Sequence, residues 1–352
     1  EVERILREQE ERCRQTLRQY RAGLDAVAKA LLEHETIDGA EVKRLIDEAS
    51  PMLVHEQFGQ KRPIPQGGGK TVNFRRFSPL AKATTALTEG VTPSGSSLSV
   101  SSISAIVAQY GDYVVQSDVL ELTAVDNTIL ETTKLLGRQA GLTMDTIVRN
   151  ALLLGTNKSY APKYVADTNG NLVETEVTKT ADLDTSAKLT VDVVQRVVAK
   201  LRAQNAPTIG GDYVCIIHPY VAYDLMRDPE WIDAHKYATP ENLYTGEIGK
   251  MAGVRFVQST EAKIDKGGSD NPSGLAVFHC LFIGDGAYGV TEVTGGGLQT
   301  IVKQKGSSGT ADPLDQRSSV GWKGLKAAKI LVDNYLVDLM CCSKFSATAT
   351  AN

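Results

Sequence analysis

Lys70-Thr-Val-Asn-Phe-Arg-Arg-Phe77, the Thr/Ser/Gly/Pro-rich stretch from Ser78 to Ser97, and a Val/Ile/Ser/Thr-rich run from Leu98 to Ser117 form the part of the chain that decides the fold. The first run alternates β-branched or aromatic residues with polar ones, which is the period of a strand. The last run has the same residue types, so the two read as the arms of one long polar hairpin with nothing of its own to bury. Two strands alone in water are marginal, because ordering each residue costs about 1–2 kcal/mol and a ribbon has little apolar area to offset it. The expectation is that this arm rests on another subunit, which points to self-assembly rather than catalysis.

Downstream, residues 126–154 carry apolar or small residues at 129, 136, 140, 144, 147, 151 and 154, a helix that would span about 40 Å. Upstream, Pro63 and Pro65 make Phe58 to Gly69 an extended connector into the hairpin. Apolar positions at Cys13, Leu17, Tyr20, Leu24, Val27 and Leu31 alternate four and three apart, a short helical seam, and a second short helix follows Asp38 to about Ala49. Beyond Asn157 come short strands around the Asn-Gly of Thr168-Asn-Gly-Asn171, a helix capped by Thr190, a strand at Tyr213 to Ile217, and apolar runs at 275–283 and 325–340. Helices and strands alternate without a βαβ rhythm, so the class is mixed α+β. Residues 185–300 read as a compact inserted domain, with 58–184 and 300–345 forming one extended domain closed by its C-terminal strand.

The composition sets limits. The chain has 352 residues, 42% hydrophobic and 23% charged, enough for one large core or two modest ones. With 38 basic and 42 acidic residues, a net charge of −4 argues against a whole-surface nucleic-acid binder, leaving local basic patches at Lys61-Arg62 and Arg75-Arg76. No run of 18 apolar residues occurs, and the first residues are a charged helix without a signal core. The chain is therefore read as made and used in a cytoplasm, or in a particle assembled there, with no membrane partner.

Signatures of chemistry are weak. Gly67-Gly-Gly-Lys-Thr71 invites a phosphate-loop reading, but Ile64 stands where the first Gly belongs and the residues after Thr71 read as strand rather than helix. Gly284-Asp-Gly-Ala-Tyr-Gly289 matches GxGxxG yet is followed by strand and turn, so a β-turn is the simpler account. His34, His55, His218, His235 and His279 are scattered, and carboxylate pairs such as Asp182 with Asp184 or Asp265 with Asp270 sit in polar loops, read as solvated charge. Cys13, Cys215, Cys280, Cys341 and Cys342 show no zinc-ligand spacing; Cys215 and Cys280 read as small buried hydrophobes. The expectation is no enzyme, no metal and no cofactor.

Several stretches carry a family resemblance. Leu53-Val-His-Glu-Gln-Phe-Gly-Gln60, Gly69-Lys-Thr-Val-Asn-Phe-Arg-Arg-Phe77, Leu87-Thr-Glu-Gly-Val-Thr-Pro93, Gln109-Tyr-Gly-Asp-Tyr113, Ser117-Asp118, Leu136-Gly-Arg-Gln-Ala-Gly141, Arg149-Asn150 and Leu154-Gly-Thr-Asn157 resemble major capsid proteins of tailed phages, of the coliphage N-four type. The resemblance is dense from Pro51 to Asn157 and thinner to Cys342. It implies the Hong Kong 97 capsid fold: an extended N-arm at 51–69, an E-loop within 70–117, a peripheral domain at 118–184 whose spine helix is 126–154, an axial domain at 185–300 with a loop near 236–252 at the capsomer centre, and a return to the peripheral domain at 301–352.

The resemblance further implies a subunit whose partners are itself, in hexamers and pentamers of an icosahedral shell, and packaged double-stranded DNA, with scaffold, portal and decoration proteins as further partners. The location implied is the phage head, assembled in the bacterial cytoplasm. Arg75, Arg76, Lys82 and Glu89 on the hairpin, then Lys134 and Arg138 on the helix, are the charged residues placed to meet a neighbour. An encapsulin-like cargo compartment shares this fold, and a nucleotide-dependent enzyme using Gly67 to Thr71 is the alternative from another class. Residues 1–50 depart from the pattern: Asp25-Ala-Val-Ala-Lys-Ala-Leu-Leu-Glu-His-Glu-Thr-Ile-Asp-Gly-Ala-Glu-Val-Lys-Arg-Leu-Ile46 resembles the C-terminal helical tail of membrane-anchored AAA zinc proteases. No protease zinc motif, ATPase core or membrane segment accompanies it, so no activity is implied, and its seam is a candidate for pairing with a second copy inside a precursor shell.

Overall fold

The computed structural model describes residues 53–64, 69–77, 80–92, 94–123, 128–235, 247–267, 271, 274–292, 298–307 and 312–352. The expected helices within 1–50 and most of the expected 236–252 loop lie outside these residues. The main core is a seven-stranded mixed sheet in the order β5 (Lys158–Tyr160), β17 (Leu336–Cys341), β12 (Ala276–Ile283), β8 (Tyr213–Ile217), β10 (Val254–Gln258) and β9 (Glu247–Met251), with β11 (Ile264–Lys266) also paired to β12.

Every residue of β8, β12 and β17 is buried, as expected of strands covered on both faces. The two-residue period divides them between two cores. Tyr213, Cys215, Ile217, Phe278, Cys280 and Phe282 face α3 (Val191–Ala203) and α4 (Pro219–Met226), whereas Val214, Ile216, Leu281 and Ile283 face the opposite side. Helix α3 forms where Thr190 caps it, its side chain accepting from the Val193 amide, and it buries Val191, Val193, Val194, Val197, Val198 and Leu201 on the sheet.

On the other side lies the long helix. After the short α1 (Asp118–Thr123), α2 (Thr128–Leu152) runs under two sheets in turn. Its N-terminal half packs Leu136, Ala140 and Met144 against Val320 and Trp322 of β15 (Arg317–Lys326), in a three-stranded sheet with β14 (Gln299–Lys303) and β4 (Ala108–Ser117). Its C-terminal half packs Val148 and Leu152 beneath the seven-stranded sheet. The buried stripe thus follows 136, 140, 144, 148 and 152 instead of turning to 147, 151 and 154; the helix ends at Leu152, and Leu154 is 78% exposed.

The chain divides less cleanly than the sequence implied. The C-terminal strand β17 does not close the hairpin-bearing part: it lies inside the seven-stranded sheet, antiparallel to β12 and parallel to β5. Conversely β13 (Tyr288–Glu292), within the expected insertion, pairs in parallel with β1 (Gln60–Pro63) and antiparallel with β16 (Ala328–Ile330). Parallel partners far apart in sequence leave no local mark, which is why strand patterning alone misassigned these segments. The Asn-Gly signal does mark a hairpin, β6 (Lys163–Ala166) with β7 (Leu172–Thr175).

Candidate assembly surface

The hairpin has a packed root and a bare tip. Strand β2 (Thr71–Phe77) pairs with β3 (Val100–Ile106) from Thr71↔Ile106 to Phe77↔Val100. The second arm then breaks at Val107, whose amide donates to the Lys70 carbonyl, and resumes as β4 in a different sheet, antiparallel to β15. The expectation that the hairpin buries nothing in its own chain is corrected at the root: Val72, Phe74, Ala105 and Val107 form a small core with Ala327, Leu331 and Val332. Phe74 is fully buried, its ring lying on Gly289 of β13 where any side chain would collide with it.

Past the root the chain covers nothing. Phe77, Leu80, Leu87, Val91, Leu98 and Val100 are all large apolar residues at least 49% exposed, with no regular structure among the described residues from 80 to 99. Scattered exposed apolar residues are ordinary, but a run of them on a projecting arm marks an interaction surface.

The charged contact candidates fall into two groups. Arg75, Arg76, Lys82 and Glu89 are exposed along the hairpin. Arg76 touches its own chain, Nη1 donating to the Leu331 carbonyl at 3.4 Å. On α2, Lys134 is ion-paired with Glu131 at 2.9 Å one helical turn away, whereas Arg138 is exposed. Lys134 is therefore engaged within its own helix.

The segment before β1 and the long helix are tied to the rest by buried polar contacts. His55, preceding β1, donates its amide to Asp145 Oδ1 at 2.8 Å and sets Nδ1 2.7 Å from Asp145 Oδ2, both residues being fully buried. The Tyr288 hydroxyl donates to the His55 carbonyl. Lys326, 1% exposed at the end of β15, pairs with Glu56 at 2.6 Å; burial pulls its pKa down and the Glu56 carboxylate opposes that pull. Arg149 of α2 donates to the Glu261 carbonyl at 2.7 Å and to Asn352 Oδ1 at 3.3 Å, tying the long helix to the seven-stranded sheet's loops and to the C-terminal segment.

A second polar cluster corrects the reading of Asp265 as a solvated charge. Nε2 of His279 lies 2.9 Å from Asp265 Oδ2, and Nδ1 lies 2.9 Å from Asp338 Oδ2. With a carboxylate at each ring nitrogen, both nitrogens must carry hydrogens, so the ring is an imidazolium. Burial lowers its pKa, but the hydrogen bonds it donates to Asp265 and Asp338 outweigh burial and raise it to about 9. The hydrogen bond to His279 holds Asp265 at about 2. The cluster joins β11, β12 and β17, and no spacing rule links residues 265, 279 and 338 in advance.

The expected non-sites take structural places. Thr71 opens strand β2 rather than a helix, which removes the geometry a phosphate loop needs. Gly284 to Gly289 is the turn and strand start between β12 and β13. His218 caps α4, accepting from the Tyr220 amide, and burial lowers its pKa to about 4. Cys215, Cys280 and Cys341 are buried free thiols, with the Cys280 and Cys341 sulfurs 3.7 Å apart. Among the described residues no helix is long and apolar enough to cross a membrane, and no three His, Cys, Asp or Glu side chains gather as metal ligands.

Against known proteins, the family model described as phage capsid protein matches residues 79–336, most of the chain. The chain belongs to the phage capsid protein family. The solved structures similar to this capsid protein include the capsid of Ralstonia phage GP4, at a TM-score of 0.61 and 17% identity over 82% of this chain and 87% of that one. The cyanophage Pam1 capsid gives 0.58 and 14% over 80% and 86%, and the head of Helicobacter pylori bacteriophage KHP40 gives 0.58 and 13% over 80% and 88%. At such identities they establish the fold, which is the mixed α+β capsid fold of Hong Kong 97 type. A separate short match, 59% identical over 64 residues, is to the ATP-dependent zinc metalloprotease FtsH of Acidimicrobium ferrooxidans. It covers 18% of this capsid protein, and the chain spans about a tenth of that protease's length.

Proposed function

We propose that this capsid protein builds the closed icosahedral head of a tailed phage around double-stranded DNA, assembling in the host cytoplasm with each hairpin laid over a neighbouring subunit. The observation that carries the reading is the contrast within the hairpin, fixed at Phe74 and bare from Phe77 to Val100. A rigid root aims the arm, and the exposed apolar residues bury area on a second copy that they cannot bury on their own chain. Arg75, Lys82 and Glu89, with Arg138 on the helix, are placed to pair across that contact. Each exposed pair contributes only about 0–1 kcal/mol, but closed symmetry repeats it at every subunit.

The peripheral part in this reading is the β4–β14–β15 sheet with α2, and the axial part is the seven-stranded sheet with α3 and α4. No step of this role needs a bound nucleotide or metal. Negative-stain microscopy of the purified chain beside size-exclusion chromatography tests the proposal. Closed shells, pentamers or hexamers are expected. A chain that stays monomeric at all concentrations, with and without the other head proteins of the phage, refutes it.

A further inference from the structure

We propose that the hairpin side of the β1–β13–β16 sheet, rimmed by Arg62, Arg76 and Lys329, is a contact surface for the phosphate backbone of duplex DNA. The inference rests on reading the chain as a shell subunit around a genome. Register places Arg62 opposite Thr291 and Lys329 opposite Gly289, on either side of β13. Paired residues point to the same side of a sheet, so both cations share the side on which the Phe74 ring covers Gly289. Arg76 stands two residues beyond Phe74 on the same side of β2, at the Leu331 carbonyl. From strand spacing and rise, the Cα atoms of Arg62 and Lys329 lie about 12 Å apart. That is about the width of a DNA major groove, so their flexible heads meet phosphates bordering one groove.

The charge of this face is one-sided. In β1, β2, β13 and β16 the sequence places Lys61, Arg62, Arg75, Arg76 and Lys329 against Glu292 alone, in a chain whose net charge is −4. Several cations elsewhere in the fold are neutralised within it, as Lys250 is by Asp212, Lys263 by Asp265 and Lys326 by Glu56. Among the described residues, no carboxylate lies within ion-pair distance of Arg62, Arg76 or Lys329. The chemistry favours a polyanion over a protein: no described residue of β1, β13 or β16 is an exposed large hydrophobe, and the exposed Phe77 of β2 lies on the opposite side of that strand from Phe74 and Arg76. A protein interface needs an apolar centre, whereas phosphates need only cations.

The test measures binding of random-sequence duplex DNA to the soluble full-length chain by fluorescence anisotropy between 50 and 200 mM salt. For R62Q/K329Q the slope of log affinity against log salt should be shallower by about 1.8, two lost phosphate contacts at about 0.9 each. The control K303Q/K323Q removes the same charge from β14 and β15 and should leave the slope unchanged. Equal slopes for wild type and R62Q/K329Q overturn the proposal, as does an equal loss in the control. So does an R62Q/K329Q chain that binds DNA normally but no longer forms particles, because the face is then a subunit interface. Wild-type chains that form no particles fail the shell reading instead, a separate outcome because the slope is read on soluble subunits.

Discussion

The packing of Phe74 on Gly289 predicts a specific non-additivity. A Cβ at Gly289 would lie 2.6 Å from Phe74 Cδ1 and 2.7 Å from Cζ, about 1 Å inside ordinary carbon contact. The ring cannot retreat easily, since Phe74 is fully buried among Val72, Ala105, Leu331 and Val332. Gly289→Ala should therefore cost about 1–3 kcal/mol by overpacking. Phe74→Ala removes the ring and should cost about 3–5 kcal/mol. Independent effects would sum to about 4–8 kcal/mol, a large part of the 5–15 kcal/mol that stabilises a typical domain. Because both changes act on one space, the double variant should cost no more than Phe74→Ala alone, a coupling of about 1–3 kcal/mol. Urea unfolding followed by the fluorescence of Trp231 and Trp322 measures all three variants. A neutral Gly289→Ala, or additivity within about 0.5 kcal/mol, would refute the claim that this contact seats the hairpin root.

Other expectations follow from the same geometry. Replacing residues 80–98 by a short Gly-Ser link should leave the unfolding midpoint unchanged while particles disappear from micrographs; particles of normal yield would show that the tip is not an assembly element. Arg149→Leu strips hydrogen bonds from the Glu261 carbonyl and Asn352, and losing one partner of a buried charged cluster should cost about 3–5 kcal/mol in chemical denaturation. Melting temperature against pH should report the Asp265–His279–Asp338 cluster. The folded pKa of His279 is raised to about 9, so its stabilisation is complete below the unfolded value of about 6.5 and is lost as pH rises through 9. Asp265, held at about 2, contributes above its unfolded value of about 3.9 and loses that contribution as pH falls towards 2. His279→Gln should flatten the alkaline limb, worth on the order of 3 kcal/mol; an unchanged limb would mean the imidazolium is not the group that titrates.

The hairpin, the long helix and the absence of a phosphate-loop geometry were legible because each is written in local pattern: alternation in Thr71 to Phe77, helical spacing after Thr128, strand residues after Thr71. What pairs with what was not. Strands β1 and β13 lie parallel across most of the chain, as do β5 and β17, and no turn residue announces such partners. The single Leu98 to Ser117 arm is two strands in two sheets because Val107 turns inward to the hairpin core. Its β-branched composition is the same on both sides of the break.

The polar joints were the least visible part, and they fix the seat of the long helix on which the rest is built. Asp145 and Arg149 look like ordinary helix charges one turn apart, yet both are buried, one holding His55 and the other Glu261 and Asn352. Apolar packing alone fixes distance better than direction, because burial is rewarded in many orientations. Hydrogen bonds weaken steeply when misaligned, and a buried charge that loses its partner costs several kcal/mol. With α2 lying under both sheets, these two contacts one turn apart on a single face fix how the helix seats against the segment before β1 and against the loops of the seven-stranded sheet. An assembly subunit needs that seat held, since a small error at Phe74 grows along an arm whose apolar residues must meet a neighbour. A swap that keeps the branched shape but removes the hydrogen-bond acceptors, such as Asp145→Leu, should then harm particle regularity more than its cost in unfolding free energy implies. Particles of normal diameter and symmetry from a folded Asp145→Leu chain would show instead that packing alone sets the arm.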